Sequence, residues 1–185
     1  MQAQIHDASQ MVNLDRYPII DLQSADGLAF AMSCREAYQT TGLCVLPEFI
    51  ISSAIQSLAQ EANSSLDDAY FCRSTHNVYL TDDDATLAEN DIKRRQEHTH
   101  VGSIPYDKID PQSQINTLYQ WQPLMDFIGF VLGKKPLYRF ADPFGACSVN
   151  VFTEGGKHGW HFDESEFTIT LMLQRPDVGG HFEYV

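Results

Sequence analysis

The sequence predicts an α+β protein in which N-terminal helices pack on a β-sandwich or β-barrel. In the first 135 residues, three stretches repeat apolar residues at three- and four-residue intervals, which is typical of helices with one buried face. After residue 135 the pattern changes to short apolar stretches separated by Gly, Pro and Asp, which predict strands. The chain has 185 residues, enough for a single domain with its own core.

Three helices are predicted in the first part of the chain. The first runs over residues 24–41, and Gly42 follows it where a C-terminal cap is expected. The second covers residues 51–66, and the third covers residues 116–132, which contain a clear stripe of apolar side chains. Between the first two helices, the apolar residues 43–46 predict a short buried strand closed by a proline.

Other segments predict strands and loops. Residues 67–96 and 97–111 are polar and irregular, so we expect two long loops, of a kind that often covers a functional site. A possible edge strand near the N-terminus and four strands in the second part are predicted, over residues 17–21, 137–140, 146–152, 167–173 and 181–185.

Composition excludes several classes of function. The formal net charge of -13 repels a phosphate backbone, and the only compact basic run is Lys93-Arg94-Arg95, so no nucleic-acid partner is expected. No stretch reaches about 18 consecutive apolar residues, so no membrane partner is expected. The first ten residues lack the pattern of a secretory signal. The four cysteines show no CxxC spacing, which favours reduced thiols in a cytoplasmic protein.

The motif most indicative of chemistry is His161-Phe162-Asp163. In an extended chain alternate side chains point to the same face, so the imidazole and the carboxylate are directed at one point. These are two of the three ligands in the facial triad of two histidines and one carboxylate that binds Fe(II) with open positions. The alternative is an ordinary His–Asp hydrogen bond inside a β-protein.

The motif and its surroundings resemble the Fe(II)- and 2-oxoglutarate-dependent oxygenases. The resemblance rests on the HxD motif, on Asn150-Val151-Phe152 before it, on the GGHFEY stretch at 179–184 after it, and on TTGLCVLPEFI in the N-terminal part. It implies a partial double-stranded β-helix, a form of jelly roll, with a mainly helical layer in residues 1–135 and the first half of the β-helix in residues 136–185. It also implies that Fe(II) is bound by His161 and Asp163, with 2-oxoglutarate and O2 as cosubstrates.

Two further stretches, HGWHFDESEF and RSTHNVYL, look most like a bacterial branch of hydroxylases and radical halogenases that act on free amino acids. Halogenases replace the carboxylate ligand with a small residue, so the presence of Asp163 favours hydroxylation of a small polar molecule, with a free amino acid as the favoured class. The residues expected near 2-oxoglutarate are Asn150, Phe152 and Trp160, and those expected near the substrate are Arg73, His76, Asn77, His158 and Glu164.

Each of these residues also has a plainer interpretation. His158 fits a glycine-rich turn, Glu164 a solvent-facing turn, and Asn150 the satisfaction of backbone groups at the barrel mouth. The RSTHN residues fit a hydrogen-bonded loop. His98 and His100 are expected to be surface histidines, and His181 is not expected to bind metal.

The resemblance also implies a distal histidine ligand and a basic residue for 2-oxoglutarate, and neither is found after the motif in this sequence. We therefore expect that the second half of the barrel is missing, or that the open β edge pairs with a second copy in a homo-oligomer. Two other functions stay open: a cupin-like metal enzyme that does not use 2-oxoglutarate, and a catalytically inactive, truncated binding module.

Overall fold

The structure is a computed structural model and describes residues 7–185. These residues contain four α-helices and one antiparallel three-stranded sheet, which confirms the α+β class. Residues 1–6, on which the expected lack of a secretory signal partly rests, lie outside the described residues. None of the helices within residues 7–185 is long and apolar enough to cross a membrane.

Along the chain, two helices are followed by two strands, two further helices and a last short strand. The helices are α1 (Ala25–Thr41), α2 (Ser52–Ser64), α3 (Gln114–Gln120) and α4 (Gln122–Leu132). The strands are β1 (Tyr70–His76), β2 (Glu97–Ile104) and β3 (Val149–Val151). The sheet order is β1-β2-β3, so β2 lies in the centre and pairs with both neighbours.

Helix α1 forms where the sequence predicts it, because both of its ends are capped. The Ser24 hydroxyl accepts a hydrogen bond from the Gly27 backbone N–H at 3.1 Å. At the other end Gly42 adopts a left-handed conformation with φ of 76°, and its N–H donates to the Tyr38 carbonyl at 2.7 Å. The prediction of this helix is confirmed, and so, with slightly different ends, is that of α2.

The third predicted helix is two helices, which corrects the prediction of one helix over 116–132. Pro123 has no N–H to donate, and its ring clashes with the carbonyl four residues earlier, so α3 ends at Gln120 and α4 begins two residues later. The Arg139 guanidinium donates to the Tyr119 and Gln120 carbonyls at 3.3 and 2.7 Å. Arg139 therefore satisfies backbone acceptors that the break leaves without helical partners.

The helices enclose the main hydrophobic core. Helix α1 packs on α4, where the Phe30 ring stacks on the Phe127 ring with centroids 5.6 Å apart. Helix α2 packs on α3 around Leu58, which is completely buried. The sheet approaches this layer at one end, where Ile104 is buried beside the helices.

Strands β1 and β2 lie in the two segments predicted as loops, so those loop predictions are wrong for residues 70–76 and 97–104. Their residues are mostly hydroxyl-bearing, charged or histidine, and therefore lack the apolar alternation used to recognise strands. Cross-strand pairing stabilises them instead: β1 pairs with β2 in register from Tyr70 opposite Ser103 to His76 opposite Glu97.

Strand β3 lies within the predicted strand 146–152 and confirms it in part. The predicted strands 17–21, 43–46, 137–140, 167–173 and 181–185 are wrong, because these residues are not part of any ladder among residues 7–185. A strand needs a hydrogen-bonded neighbour as well as an extended pattern. Residues 17–21 are fixed by side chains instead: Ile19 is fully buried, and the Tyr17 hydroxyl donates to the Pro47 carbonyl at 2.5 Å.

Candidate metal site at the edge of the sheet

The segment that carries the HxD motif lies against strand β2. The backbone of Lys157 exchanges two hydrogen bonds with that of His100, at 2.7 and 3.0 Å. Two residues later the Gly159 N–H donates to the Thr99 hydroxyl at 3.0 Å in a buried position. A Cβ on Gly159 would lie 2.8 Å from the Glu97 Cβ, so only glycine allows this close approach.

A second contact fixes the motif on its other side. The Phe162 N–H donates to the Val78 carbonyl at 2.8 Å, and the Phe162 ring stacks on the Tyr79 ring with centroids 5.3 Å apart. Because Phe162 is held by Tyr79, the alternation of an extended chain directs the two flanking side chains to the opposite side. This part of the chain does not belong to the sheet.

The two flanking side chains, His161 and Asp163, meet. The distance from His161 Nε2 to Asp163 Oδ1 is 3.1 Å. His161 Nδ1 lies 2.8 Å from the Gly159 carbonyl, which only accepts, so Nδ1 carries the proton. The other Asp163 oxygen accepts from the Thr168 hydroxyl at 2.5 Å. Both side chains are thus oriented by a second hydrogen bond, as is usual for metal ligands.

This arrangement fits a cation. With the proton on Nδ1, a neutral His161 presents the Nε2 lone pair to a carboxylate oxygen of Asp163. Two acceptors at 3.1 Å are favourable only when a proton or a metal ion lies between them. When two ligand atoms are each about 2.1 Å from one ion and the ligand–ion–ligand angle is a right angle, the two atoms are about 3.0 Å apart. The observed spacing therefore fits two neighbouring ligands of a single metal ion.

Two more histidines lie beside His161. The ring centroid of His158 is 4.3 Å from that of His161, and the centroid of His76 is 6.3 Å from it with the rings perpendicular. Desolvation by the surrounding protein lowers the pKa of His158, and the neighbouring His161 and His76 lower it further. His158 and His76, which the sequence predicts near the substrate, therefore lie next to the predicted metal ligand His161.

A third ligand is not part of this cluster. Among residues 7–185, no group of three or more His, Cys, Asp or Glu side chains is arranged to hold a metal ion. His181 is exposed. His98 is also exposed, and its Nδ1 lies 3.0 Å from the Thr75 hydroxyl. The expectation of a surface histidine is therefore confirmed for His98.

Asn77 organises the loop that holds Phe162. It is 2% exposed, and its side-chain oxygen accepts from the Tyr79 and Thr81 N–H groups at 2.9 and 3.1 Å. Between these two residues Leu80 adopts a left-handed conformation with φ of 57°, which costs free energy for a residue with a side chain. The amide of Asn77 is therefore engaged within its own loop, and a contact with substrate stays a prediction.

The remaining predicted site residues are exposed. Arg73 lies opposite His100 in the ladder, on the face of β1 opposite to His76 by strand alternation. No hydrogen bond or ion pair joins Arg73 to the histidines among residues 7–185. The roles of the other exposed residues also stay predictions, for Asn150 on β3, Phe152, Trp160 and Glu164.

Thr99 and Glu97 both contact the segment that carries the motif, and neither was predicted from the sequence. Both residues are buried although they lie in a polar stretch. The usable signal was the alternation in Glu97–His100, which directs Glu97 and Thr99 to one face of a strand and the two histidines to the other. Glu97 is paired with Arg95 at 3.2 Å, so its charge has a partner.

The site thus consists of a His–Asp pair, 3.1 Å apart, in a segment that lies against strand β2, with two further histidines beside it. A family profile described as halogenase D matches residues 29–185, which is most of the chain, and the chain belongs to this family. No curated protein and no solved structure matches the chain.

Proposed function

We propose that the protein is a non-haem Fe(II)- and 2-oxoglutarate-dependent dioxygenase that hydroxylates a small polar molecule, with a free amino acid as the favoured class. The observation that carries this proposal is the pair of His161 Nε2 and Asp163 Oδ1, 3.1 Å apart and each oriented by a second hydrogen bond. Membership of the halogenase D family supports an enzyme of the oxygenase and halogenase type.

In this proposal His161 and Asp163 hold the iron, and the described residues bring no third ligand to the same point. Iron bound there with 2-oxoglutarate supplies the activation of O2 and the oxidation of a C–H bond. The contribution of this chain is positioning. The Gly159 carbonyl fixes the His161 ring, and the Thr168 hydroxyl fixes Asp163, so that both donor atoms are directed at one point.

Asp163 decides between hydroxylation and halogenation. A halide on the iron would need the place of a carboxylate ligand, and in this chain Asp163, whose oxygen lies 3.1 Å from His161 Nε2, would hold that place. We therefore propose hydroxylation for this chain, although its family is named for halogenases.

The other assignments extend the same proposal. His158 and His76, which lie beside His161, contact the substrate, together with Asn77 in the adjoining loop. Glu164 provides a negative charge for the ammonium group of an amino acid, whereas Arg73, the other charged residue expected near the substrate, lies on the opposite face of β1 from His76. The residues proposed for 2-oxoglutarate are Asn150, Phe152 and Trp160. A second copy that pairs at the open edge of the sheet would help to enclose this site.

The test is an anaerobic titration with Fe(II), with and without 2-oxoglutarate, on the wild-type chain. We expect 2-oxoglutarate to strengthen binding, because it adds two ligand atoms to a site with only two from the described residues. His161→Ala and Asp163→Asn should each abolish this binding. His181→Ala is the matched control, since it removes an exposed histidine away from the cluster.

Products distinguish the reaction types. With O2, 2-oxoglutarate, chloride and a panel of free amino acids, we expect mass spectrometry to show one added oxygen. Replacement of hydrogen by chlorine would contradict the role given to Asp163. Turnover that needs a metal but not 2-oxoglutarate would indicate a cupin-like enzyme. Failure of the wild-type protein to bind metal would reject the proposal that it is an enzyme of this type.

A further inference from the structure

A buried hydroxyl links the histidine cluster to the central strand. Thr99 lies on β2 and is 7% exposed. Its Oγ1 lies 3.0 Å from the Gly159 nitrogen and 2.8 Å from His76 Nε2. Thr99 therefore contacts both the segment that carries the HxD motif and the histidine at the end of β1.

The proton positions in this network follow from its chemistry. His76 Nδ1 lies 2.9 Å from the Asn77 carbonyl, which only accepts, so Nδ1 carries the proton and Nε2 of the neutral ring is an acceptor. The Thr99 hydroxyl then donates its proton to His76 Nε2, and its lone pair accepts the Gly159 N–H. Every polar atom in this chain of hydrogen bonds has a complementary partner.

The chain of hydrogen bonds continues to the proposed metal ligand. Both backbone groups of Gly159 are engaged. Its N–H donates to the Thr99 hydroxyl, and its carbonyl accepts from His161 Nδ1. A shift of Gly159 away from β2 moves this carbonyl and releases the His161 ring. The position of Gly159 is therefore coupled to the direction of the Nε2 lone pair of His161.

We propose that Thr99 is a positioning residue, whose hydroxyl fixes the tautomer and orientation of His161 through Gly159 and ties His76 to the same network. Its role in metal affinity rests on the proposed function of His161 as an iron ligand. Its role in fixing the His161 tautomer does not depend on that function, because it concerns contacts within the protein alone.

Two substitutions separate the hydroxyl from the packing of the side chain. Thr99→Val keeps the shape and removes the hydroxyl, whereas Thr99→Ser keeps the hydroxyl and removes the methyl group. Thr75→Val on β1 is the matched control, because the Thr75 hydroxyl contacts the exposed His98 and lies outside the network. All four proteins are compared as full chains at one fixed pH.

The first readout is nitrogen NMR of histidine-labelled protein without metal, which shows which ring nitrogens carry a proton. We expect a proton on Nδ1 of both His161 and His76 in the wild type, in Thr99→Ser and in Thr75→Val. In Thr99→Val we expect the Nδ1 signals of both rings to change and His76 to show a mixture of tautomers, because Gly159 and His76 lose their shared partner. An unchanged spectrum in Thr99→Val would overturn the proposal.

The second readout is Fe(II) affinity in the presence of 2-oxoglutarate. Changes to residues that orient metal ligands cost about 10- to 100-fold in affinity, and we expect about tenfold for Thr99→Val, with recovery in Thr99→Ser. A loss in Thr99→Ser would overturn the proposal even if Thr99→Val does not fold. If the wild type binds no iron while the tautomers still respond to Thr99→Val, the positioning role stands and the proposed oxygenase function fails.

Discussion

The clearest test of the fold concerns Glu61, a carboxylate on α2 that caps a different helix. Its two oxygens accept hydrogen bonds from the Gln114 and Ile115 N–H groups at 2.9 and 3.1 Å, in the first turn of α3. The next N–H, that of Asn116, is satisfied by the Ser113 hydroxyl at 3.0 Å. A negative charge at this end of a helix is also favoured by the helix dipole.

Removing the carboxylate by Glu61→Ala leaves two half-buried N–H groups without partners. Loss of one capping group costs about 1 kcal/mol, and hydrogen bonds to charged groups are worth more than neutral ones, so we expect a loss of about 2 kcal/mol in the free energy of unfolding. For a chain of this size that is a fall in Tm of about 4–8 °C. Glu61→Gln, which keeps one acceptor oxygen, should lose about half as much.

Urea unfolding followed by circular dichroism measures the free energy, and a thermal melt measures Tm. The matched control is Glu36→Ala, which removes an exposed glutamate from the interior of helix α1. A loss under about 0.5 kcal/mol for Glu61→Ala, or an equal loss in the control, would refute the capping role, because surface substitutions usually stay within that range.

Two further predictions test the packing around the site and in the core. Gly159→Ala places a Cβ 2.8 Å from that of Glu97, so we expect the segment to leave β2 and Fe(II) binding to be lost. In Gly155→Ala the added Cβ would meet no atom, so the left-handed backbone (φ 71°) should cost some stability while binding is kept. Wild-type affinity in Gly159→Ala would contradict the proposed geometry. Burial raises the pKa of Cys34 to about 12, so its thiol stays protonated at neutral pH and above, until the pH approaches that value. A maleimide at pH 8 should therefore label the exposed Cys72 and spare Cys34; equal labelling by mass spectrometry would show that the core is not packed as described.

Local signals in the sequence were sufficient for the helices with explicit ends. Ser24 and Gly42 mark α1, and the structure uses both as caps. The same kind of signal was available at Pro123 and was overlooked, because the apolar stripe continues across it. A proline inside a helical pattern ends or kinks the helix, and here it separates α3 from α4.

The strands were harder to predict because pairing, not composition, defines them. Residues 167–173 are apolar or β-branched throughout and remain unpaired among the described residues, whereas the polar strands β1 and β2 pair along their whole length. A long stretch without predicted structure in one domain was itself a warning that elements were missing. The His161–Asp163 pair was predictable from two-residue spacing, but its supports, Thr99 and Tyr79, come from distant sequence.

This distance in sequence has a consequence for how the protein opens. Gly159 and Thr99 are separated by 60 residues, so their hydrogen bond closes a long loop and forms only when both parts of the chain have already been ordered. The helices, in contrast, are held by local backbone bonds and by the core between α1 and α4. We expect amide hydrogens in residues 157–163 to exchange through a partial opening that leaves α1 and α4 protected. A ligand that bridges His161 and Asp163 would suppress that opening, so occupancy of the site and rigidity of this segment would rise together.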